Sequence, residues 1–530
     1  MKRKITGSVV VLLTLLLSLV LAACGDSTAT TASTTTAAAT TAAAPNTVAT
    51  TAAVATTTTA AATTTVVAKT TAAVTTTAAA ATTVTNGVPA VVKMPAQIAG
   101  GRPVNITVVG KPLDTSPDAV VKWNEQADRF HKLYPNVTIK GTDYSYAPDT
   151  FAALVAGKQL PTLFSVYLTD PSKMAEQGIA SDISSYFDSN NLRSIYNPDV
   201  LSLTVKDNKV YGIPEFAYGM GLAYNINMLK AAGIAKPPTT WDELAADAKI
   251  LTKRDQGIAG FSFISDGTNA SGWQFTTMAY TFGAKLSDFI KDNGGGSYTA
   301  TFSKGTPLDA LKYIKDLRWK FDVLPRENLD WAKNGQTFAT GQAAMAVMAG
   351  DQFSWIRTTY PDIDLKQFAF APLPVSAGGS SVSLIGGNVA MVSNAASADE
   401  KEAAAYYKLW ATFDPAERKA SLDLQQAIPG TAIGIPTLPL YVGAYQDGLT
   451  SFQKPYNNMP TNNYQEYLSA VTAGKVKLQP EVTPNAQDYY AVSGTAISSI
   501  LTDKGADPAA LLEKAASTFQ TNTLDRIKKS

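Results

Sequence analysis

The chain of 530 residues has one cysteine and one histidine. A single thiol excludes an internal disulfide, a paired-cysteine redox motif and a multi-thiolate zinc site. His131 falls mid-pattern on a helix, on a side that reads as solvent-facing, so it offers neither a base nor a metal ligand. The formal net charge is only +1 and no basic stripe is present, which argues against nucleic acid and other polyanions as partners. Neither GxGxxG nor GxxxxGKS/T occurs. Asn293-Gly294-Gly295-Gly296 is glycine-rich but lacks that spacing and the following lysine, and reads as a flexible loop. The longest apolar run, Val9 to Leu21, is too short for a comfortable membrane span. No internal repeat stands out, and no motif frames two carboxylates across a cleft, as a glycosidase would need. No cofactor, metal site or catalytic residue is expected.

What is present begins with an address. Met1-Lys2-Arg3-Lys4 is a positive n-region, and Val9 to Leu21 has the length of a signal-peptide core. Leu21-Ala22-Ala23-Cys24 follows and resembles the lipobox of bacterial lipoproteins, which implies lipid on Cys24 as the mature N-terminus. Acyl chains anchor through about 0.8 kcal/mol per buried CH₂. From Ser27 to Thr85 the chain is almost only Thr and Ala, with Lys69 as its sole charge. Such a segment cannot offset its ordering entropy and is expected to be a disordered tether. Some sixty residues reach at most ~200 Å, and about 45 Å as a coil.

The rest is long for one core, so two lobes are expected. Val104 to Val109, Val137 to Lys140 and Leu163 to Tyr167 read as strands, with helical spacing over Ala119 to Leu133 and Thr150 to Ala156 between them. Strand, helix, strand, helix, strand means a parallel α/β lobe, whose ligands lie beyond the carboxyl ends of the strands. Lys111 and Asp114, Asp143 and Tyr144, and Tyr167 and Asp170 occupy those loops. Further helices are expected from Trp241, capped by Thr239 or Thr240, from Ser397 to Phe413, and from Ala509 to Phe519. Phe338 to Met348 carries a helix into a strand. The 22 Tyr, 19 Phe and 7 Trp of this nearly neutral chain suit an uncharged polar ligand, although most rings also suit a core.

Four stretches together resemble the extracellular solute-binding proteins of family 1, the group that includes maltose-binding protein. They are Val210-Tyr211-Gly212-Ile213-Pro214 with Leu222-Ala223-Tyr224-Asn225; Ala232-Gly233-Ile234 with Pro237-Pro238-Thr239-Thr240-Trp241-Asp242-Glu243-Leu244; Phe338 to Met345 ending at Gly350; and Ala371-Pro372-Leu373-Pro374 with Gly386-Gly387-Asn388. The resemblance implies an α/β, two-lobed periplasmic-binding-protein-like fold with a hinge between the lobes. It also implies a lipid-anchored monomer on the outer face of the cell membrane that closes on a small molecule, a sugar or oligosaccharide, and delivers it to the membrane subunits of an ABC permease. The expected organisation is a signal peptide over 1–23, a tether over 24–95 and a binding domain over 96–530. Lobe 1 covers about 104–215 and 375–430, and lobe 2 about 216–374 and 431–530.

The resemblance also assigns candidate ligand contacts. Trp273, before Phe282-Gly283, matches an aromatic that stacks on sugar, with a core tryptophan as the competing reading. Tyr218 occupies a polar-contact position at the crossover, with Glu215 beside it. Gln352 and Phe353 follow Gly350, where the family often carries a stacking Trp; that Trp is absent here, and Trp355 is a shifted substitute or core. Tyr489 matches a late aromatic of the second lobe, while Tyr490 reads as core. Gly387-Asn388 allows a close approach. Cargo within the same family extends to a polyamine, which asks for acids among rings, to a peptide, or to a glycerol phosphate, which asks for clustered Arg or a helix N-terminus. An anchored glycosidase and a structural surface protein are the remaining classes.

Overall fold

The structure is a computed structural model that describes residues 84–85, 88–114 and 117–527, all within one compact unit. Cys24, the segment before it and nearly all of the Thr/Ala-rich segment expected to be a tether lie outside the described residues.

The first lobe is built as its apolar spacing demands. Strand β1 (Val104–Val109) buries Val104, Ile106 and Val108 on one face and pairs in parallel with β2 (Val137–Thr142) and β3 (Leu163–Tyr167). Helices α1 (Pro117–Leu133) and α2 (Pro148–Ala156) make the two crossovers, and a right-handed return is what parallel pairing requires. His131 is exposed, and its Nδ1 lies 2.8 Å from the Val137 carbonyl oxygen.

Two long strands carry the chain between the lobes. The first half of β4 (Ile213–Asn225) runs antiparallel to β8 (Val382–Val392). Its second half runs antiparallel to β6 (Ala343–Ala349) and β7 (Phe368–Ala371). β5 (Ala259–Ser262) pairs in parallel with β6, and the short β9 (Lys477–Gln479) with β8. One nine-stranded sheet, ordered β2-β1-β3-β8-β4-β6-β5 with β7 on β4 and β9 on β8, therefore runs through both lobes.

The second lobe packs helices on its end of this sheet. α3 (Trp241–Leu251) opens with a capping box: Thr240 Oγ1 accepts from the Glu243 amide at 3.1 Å, and Glu243 accepts back from the Thr240 amide at 3.2 Å. α4 (Asn269–Thr281), α5 (Thr306–Trp319), α6 (Trp331–Ala339), α7 (Gln352–Thr359), α12 (Ala486–Thr502) and α13 (Pro508–Asn522) complete it. Between them come α8 (Ala398–Phe413), capped by Ser397, α9 (Pro415–Ala427), α10 (Gly443–Gln453) and α11 (Gln465–Thr472). Among the described residues, no helix is long and apolar enough to cross a membrane.

Two boundaries differ from expectation. Val88 and Ile98 are fully buried in the first-lobe core, with Val91, Val92 and Met94 packed against it. Residues from Val88 thus pack on the first lobe, ahead of the expected start at 96, through these few larger apolar side chains. Tyr441, Tyr445 and Leu449 also bury in the first-lobe core, beside Phe413. Residues 440–453 therefore pack with lobe 1 rather than lobe 2.

Candidate functional site

The carboxyl ends of β1, β2 and β3 point to where the two lobes meet. In the loops that follow them, Tyr146 and Tyr167 meet edge to face at 5.1 Å. Tyr146 Oη donates to Asp170 Oδ2 at 3.0 Å, and Thr169 Oγ1 donates to the same oxygen at 2.9 Å. Burial pushes the Asp170 carboxyl above its usual range, opposed by those two hydrogen bonds and by Lys173. The Tyr144 phenol lies close enough to act electrostatically on both Tyr146 and Tyr167.

The second lobe answers with two rings and two acids. Tyr218 on β4 and Trp273 on α4 meet edge to face at 5.9 Å. Both lean on Gly386 of β8: a Cβ there would lie 2.4 Å from Tyr218 Cε2 and 2.9 Å from Trp273 Cζ2. The neighbouring Gly387 has φ +146°, and a Cβ on it would fall 2.0 Å from the Phe216 carbonyl oxygen. The Gly386-Gly387 pair is thus what lets the crossover strands and the aromatic pair come together. Trp273 Nε1 donates to Glu481 Oε1 at 2.7 Å. Burial drives the Glu481 carboxyl well above its usual range and that of Asp351 up to about 7. Tyr218 lies within electrostatic range of Asp351, Glu481 and Tyr167, and Asp170 within range of Glu481 and Asp488. A polar bridge spans the lobes: Asn269 Nδ2 donates to Gln487 Oε1 at 2.9 Å, and Gln487 Nε2 donates to Thr169 Oγ1 at 3.3 Å.

A cavity of about 1150 Å³ shares the Tyr146 and Tyr167 wall and extends away from Trp273, past Asn388 and Glu215 towards Lys408 and Tyr441. Glu215 is committed within it. Ser165 Oγ donates to Glu215 Oε2 at 2.8 Å, and Lys408 pairs with Glu215 Oε1. Asp170, Tyr218, Trp273, Asp351 and Glu481 do not line this cavity.

Of the residues singled out in the sequence, Tyr167, Asp170, Tyr218 and Trp273 converge, with Tyr144 adjoining and Gly387 beneath. Others do not. Tyr489 is fully buried in the second-lobe core, against Phe302 at 4.9 Å and Phe289 at 5.8 Å. Phe353 is fully buried between Tyr464 at 4.9 Å and Phe370 at 5.6 Å. Gln352 is buried and donates to the Trp331 carbonyl at 3.0 Å. Each sits where its helix turns inward, so packing takes the side chain. Trp355 packs on Trp331 and Tyr360, and Tyr490 is core, as expected. Lys111 and Asp114 pair with each other at 3.4 Å, and the Asp114 side chain is 88% exposed. Tyr146, Asp351, Glu481 and Gln487 were not singled out. Tyr146 was within reach, two residues beyond Tyr144 in the same loop, whereas Glu481 follows a three-residue strand that carries no local signal.

The sequence matches the family described as bacterial extracellular solute-binding protein over residues 114–414. A putative binding protein of Brucella abortus is 29% identical over 145 residues, covering 27% of this chain and 32% of that protein. The sn-glycerol-3-phosphate-binding periplasmic protein UgpB of Yersinia pseudotuberculosis is 25% identical over 246 residues, covering 44% and 53%. The chain thus spans a third to a half of the length of these curated relatives. Among solved structures, maltose-bound MalE3 of T. maritima superposes with a TM-score of 0.62 at 19% identity, over 79% of this chain and 100% of that one. UgpB of Mycobacterium tuberculosis, in complex with glycerophosphocholine, gives 0.60 at 17%, over 80% and 98%. At such identities these likenesses establish the two-lobed fold alone. The family match, which covers more than half of the chain, establishes that this protein belongs to the bacterial extracellular solute-binding proteins.

Proposed function

We propose that this chain captures a sugar or oligosaccharide between its lobes and hands it to an ABC permease, anchored outside the membrane by lipid on Cys24. The observation that carries the reading is the apposition of Tyr146, Tyr167 and Asp170 of one lobe with Tyr218, Trp273 and Glu481 of the other. A pyranose presents apolar C–H faces to rings and a rim of hydroxyls to carboxyl and amide groups. Only lobe closure brings both sets onto one ligand, so the ligand stabilises the closed form. Nothing in the reading calls for chemical change of the cargo. The likeness to maltose-bound MalE3 supports it. The two UgpB relatives raise glycerol phosphate as cargo. A phosphate asks for Arg, Lys or a helix N-terminus, and the cluster instead presents carboxyls.

The deciding experiment is a thermal-shift screen across mono- and oligosaccharides, polyols and glycerophosphodiesters, followed by calorimetry. A sugar at a hundred times its Kd raises stability by about 2.7 kcal/mol. Stabilisation by glycerophosphodiesters alone would replace the sugar reading. For the anchor, mass spectrometry of the membrane-extracted protein is expected to find Cys24 as an acylated N-terminus; an intact Met1 would remove it.

A further inference from the structure

The polar bridge between the lobes has a direction. Thr169 Oγ1 has one hydrogen, which goes to Asp170 Oδ2 at 2.9 Å, so toward the second lobe this hydroxyl can only accept. Gln487 Nε2 supplies the donor at 3.3 Å, and Gln487 Oε1 in turn accepts from Asn269 Nδ2 at 2.9 Å. The relay thus runs one way, from Asn269 through Gln487 and Thr169 onto the Asp170 carboxyl, to which Tyr146 Oη also donates at 3.0 Å. Asn269 and Gln487 stand in the first turns of α4 and α12. These helices touch backbone to backbone: a Cβ on Gly272 of α4 would lie 2.2 Å from the carbonyl oxygen of Tyr490 on α12. The second-lobe half of the relay therefore sits on a rigid base, and the Gln487–Thr169 bond is the link that lobe opening must break. The lobes approach at a second place. Lys206 of the first lobe, held by Glu176, lies within electrostatic range of Tyr298 on the second-lobe hairpin of Ile290–Gly294 and Ser297–Ala300. All of these partners are side chains of the protein itself.

We infer that Gln487 is a closure latch that belongs to the protein rather than to its cargo: through Thr169 it holds the lobes together and sets the share of empty chains already closed. Gln487 is thus a positioning residue, acting on the placement of the lobes. A neutral hydrogen bond of this kind shifts the ratio of closed to open chains by about two- to tenfold. Cargo that is held by the closed form then finds more of it, and its apparent affinity rises by the same factor until the closed form dominates. The latch is independent of what the cargo is.

The test measures lobe separation in the full mature chain, refolded to strip co-purified cargo. Spin labels go on Lys209→Cys and Lys291→Cys, with Cys24→Ser so that only these two thiols react. Both lysines are exposed, on the first-lobe hairpin that carries Lys206 and the second-lobe hairpin that carries Tyr298. The parent is expected to show a short-distance population, and Gln487→Ala to lower its weight against the long-distance one at least about twofold with the urea midpoint unchanged. Thr169→Ser, which keeps the hydroxyl, is expected to match the parent. Thr169→Val, which keeps the shape without it, is expected to match Gln487→Ala, and the two together to open the lobes no further than either alone. An unchanged distance distribution in Gln487→Ala, additive effects in the double variant, or a parent without a short-distance population would each overturn the latch. A lower urea midpoint with unchanged distances would assign Gln487 to the fold alone and overturn it as well. None of these outcomes bears on which cargo is bound, so the capture reading stands or falls separately.

Discussion

Trp273 Nε1 donates a 2.7 Å hydrogen bond to Glu481 Oε1, tying α4 to the segment that follows β9. The indole is therefore neither a free platform nor an ordinary core residue: its nitrogen is committed while its ring is half-buried beside Tyr218. Trp273→Phe keeps an aromatic face but leaves Glu481 Oε1 without that donor, and is expected to cost about 1–2 kcal/mol of stability. Trp273→Ala removes the face as well. Losing roughly 60–100 Å² of shared apolar contact at about 25 cal/mol per Å² lowers affinity about ten- to seventy-fold. Calorimetry and urea melts on both variants separate the two roles. Equal affinity loss in Phe and Ala would mean that the Glu481 bond matters and the ring face does not.

Gly386 and Gly387 make different demands at the crossover. Gly387→Ala places a Cβ 2.0 Å from the Phe216 carbonyl oxygen at φ +146°. It is expected to destabilise the whole fold by at least about 1–3 kcal/mol, read by chemical denaturation. Gly386→Ala drives instead into the side chains of Tyr218 and Trp273. Those rings can shift, so the expected result is a loss of affinity that outweighs the loss of stability. The reverse ranking of the two variants would show that the aromatic pair is not held by Gly386.

Asp351 gives the empty protein a pH signature. Its carboxyl is raised by burial to about 7, so the folded state binds a proton more tightly than the unfolded state does. The contribution to stability is fully present below the usual Asp range near pH 4 and is lost as pH rises through about 7. Asp351→Asn removes this dependence. The difference in unfolding free energy between variant and parent is expected to move in the variant's favour across pH 4 to 7, with a limiting slope of about 1.4 kcal/mol per pH unit. Parallel stability profiles for the two proteins would place the Asp351 carboxyl in ordinary solvent.

Strand β1 and helix α1 of the first lobe were legible because each has one buried face. The alternation in Val104 to Val109 and the helical spacing before Leu133 leave little choice of register. The loops after β1, β2 and β3 were legible as a group, since parallel strands fix where ligands sit, and Tyr167 and Asp170 met there. Which residue within a loop turns inward was not: Tyr146 is buried against Asp170, whereas Asp114 points to solvent. Gly350 marked the right turn, but Asp351 rather than Gln352 or Phe353 joins the cluster, because the helix starting at Gln352 sends those two into the core. Tyr489 misled for the same reason. Glu481 depends on long-range packing against α4, which no spacing in its own neighbourhood encodes.

The edge of the folded domain makes a last, sharp prediction. Val88 and Ile98 are fully buried beneath the first lobe. Tyr134 Oη donates to the Pro95 carbonyl at 2.7 Å, and Asn136 Nδ2 donates to the Ile98 carbonyl at 3.0 Å. A chain beginning at Val88 keeps all of these contacts, and is expected to fold and to bind as the full mature chain does. A chain beginning at Val104 loses them. Each large apolar side chain withdrawn from a core costs roughly 1.5–3 kcal/mol, and the abandoned phenol and amide add to that. The loss of Val88 and Ile98 alone is thus expected to cost about 3–6 kcal/mol, a large share of the ~5–15 kcal/mol that holds a native protein. Melting curves of the two truncations measure the gap. Equal melting temperatures would mean that residues 88–103 belong to the tether after all, and a weakened ligand affinity in the Val88 chain would mean that the Thr/Ala segment takes part in binding.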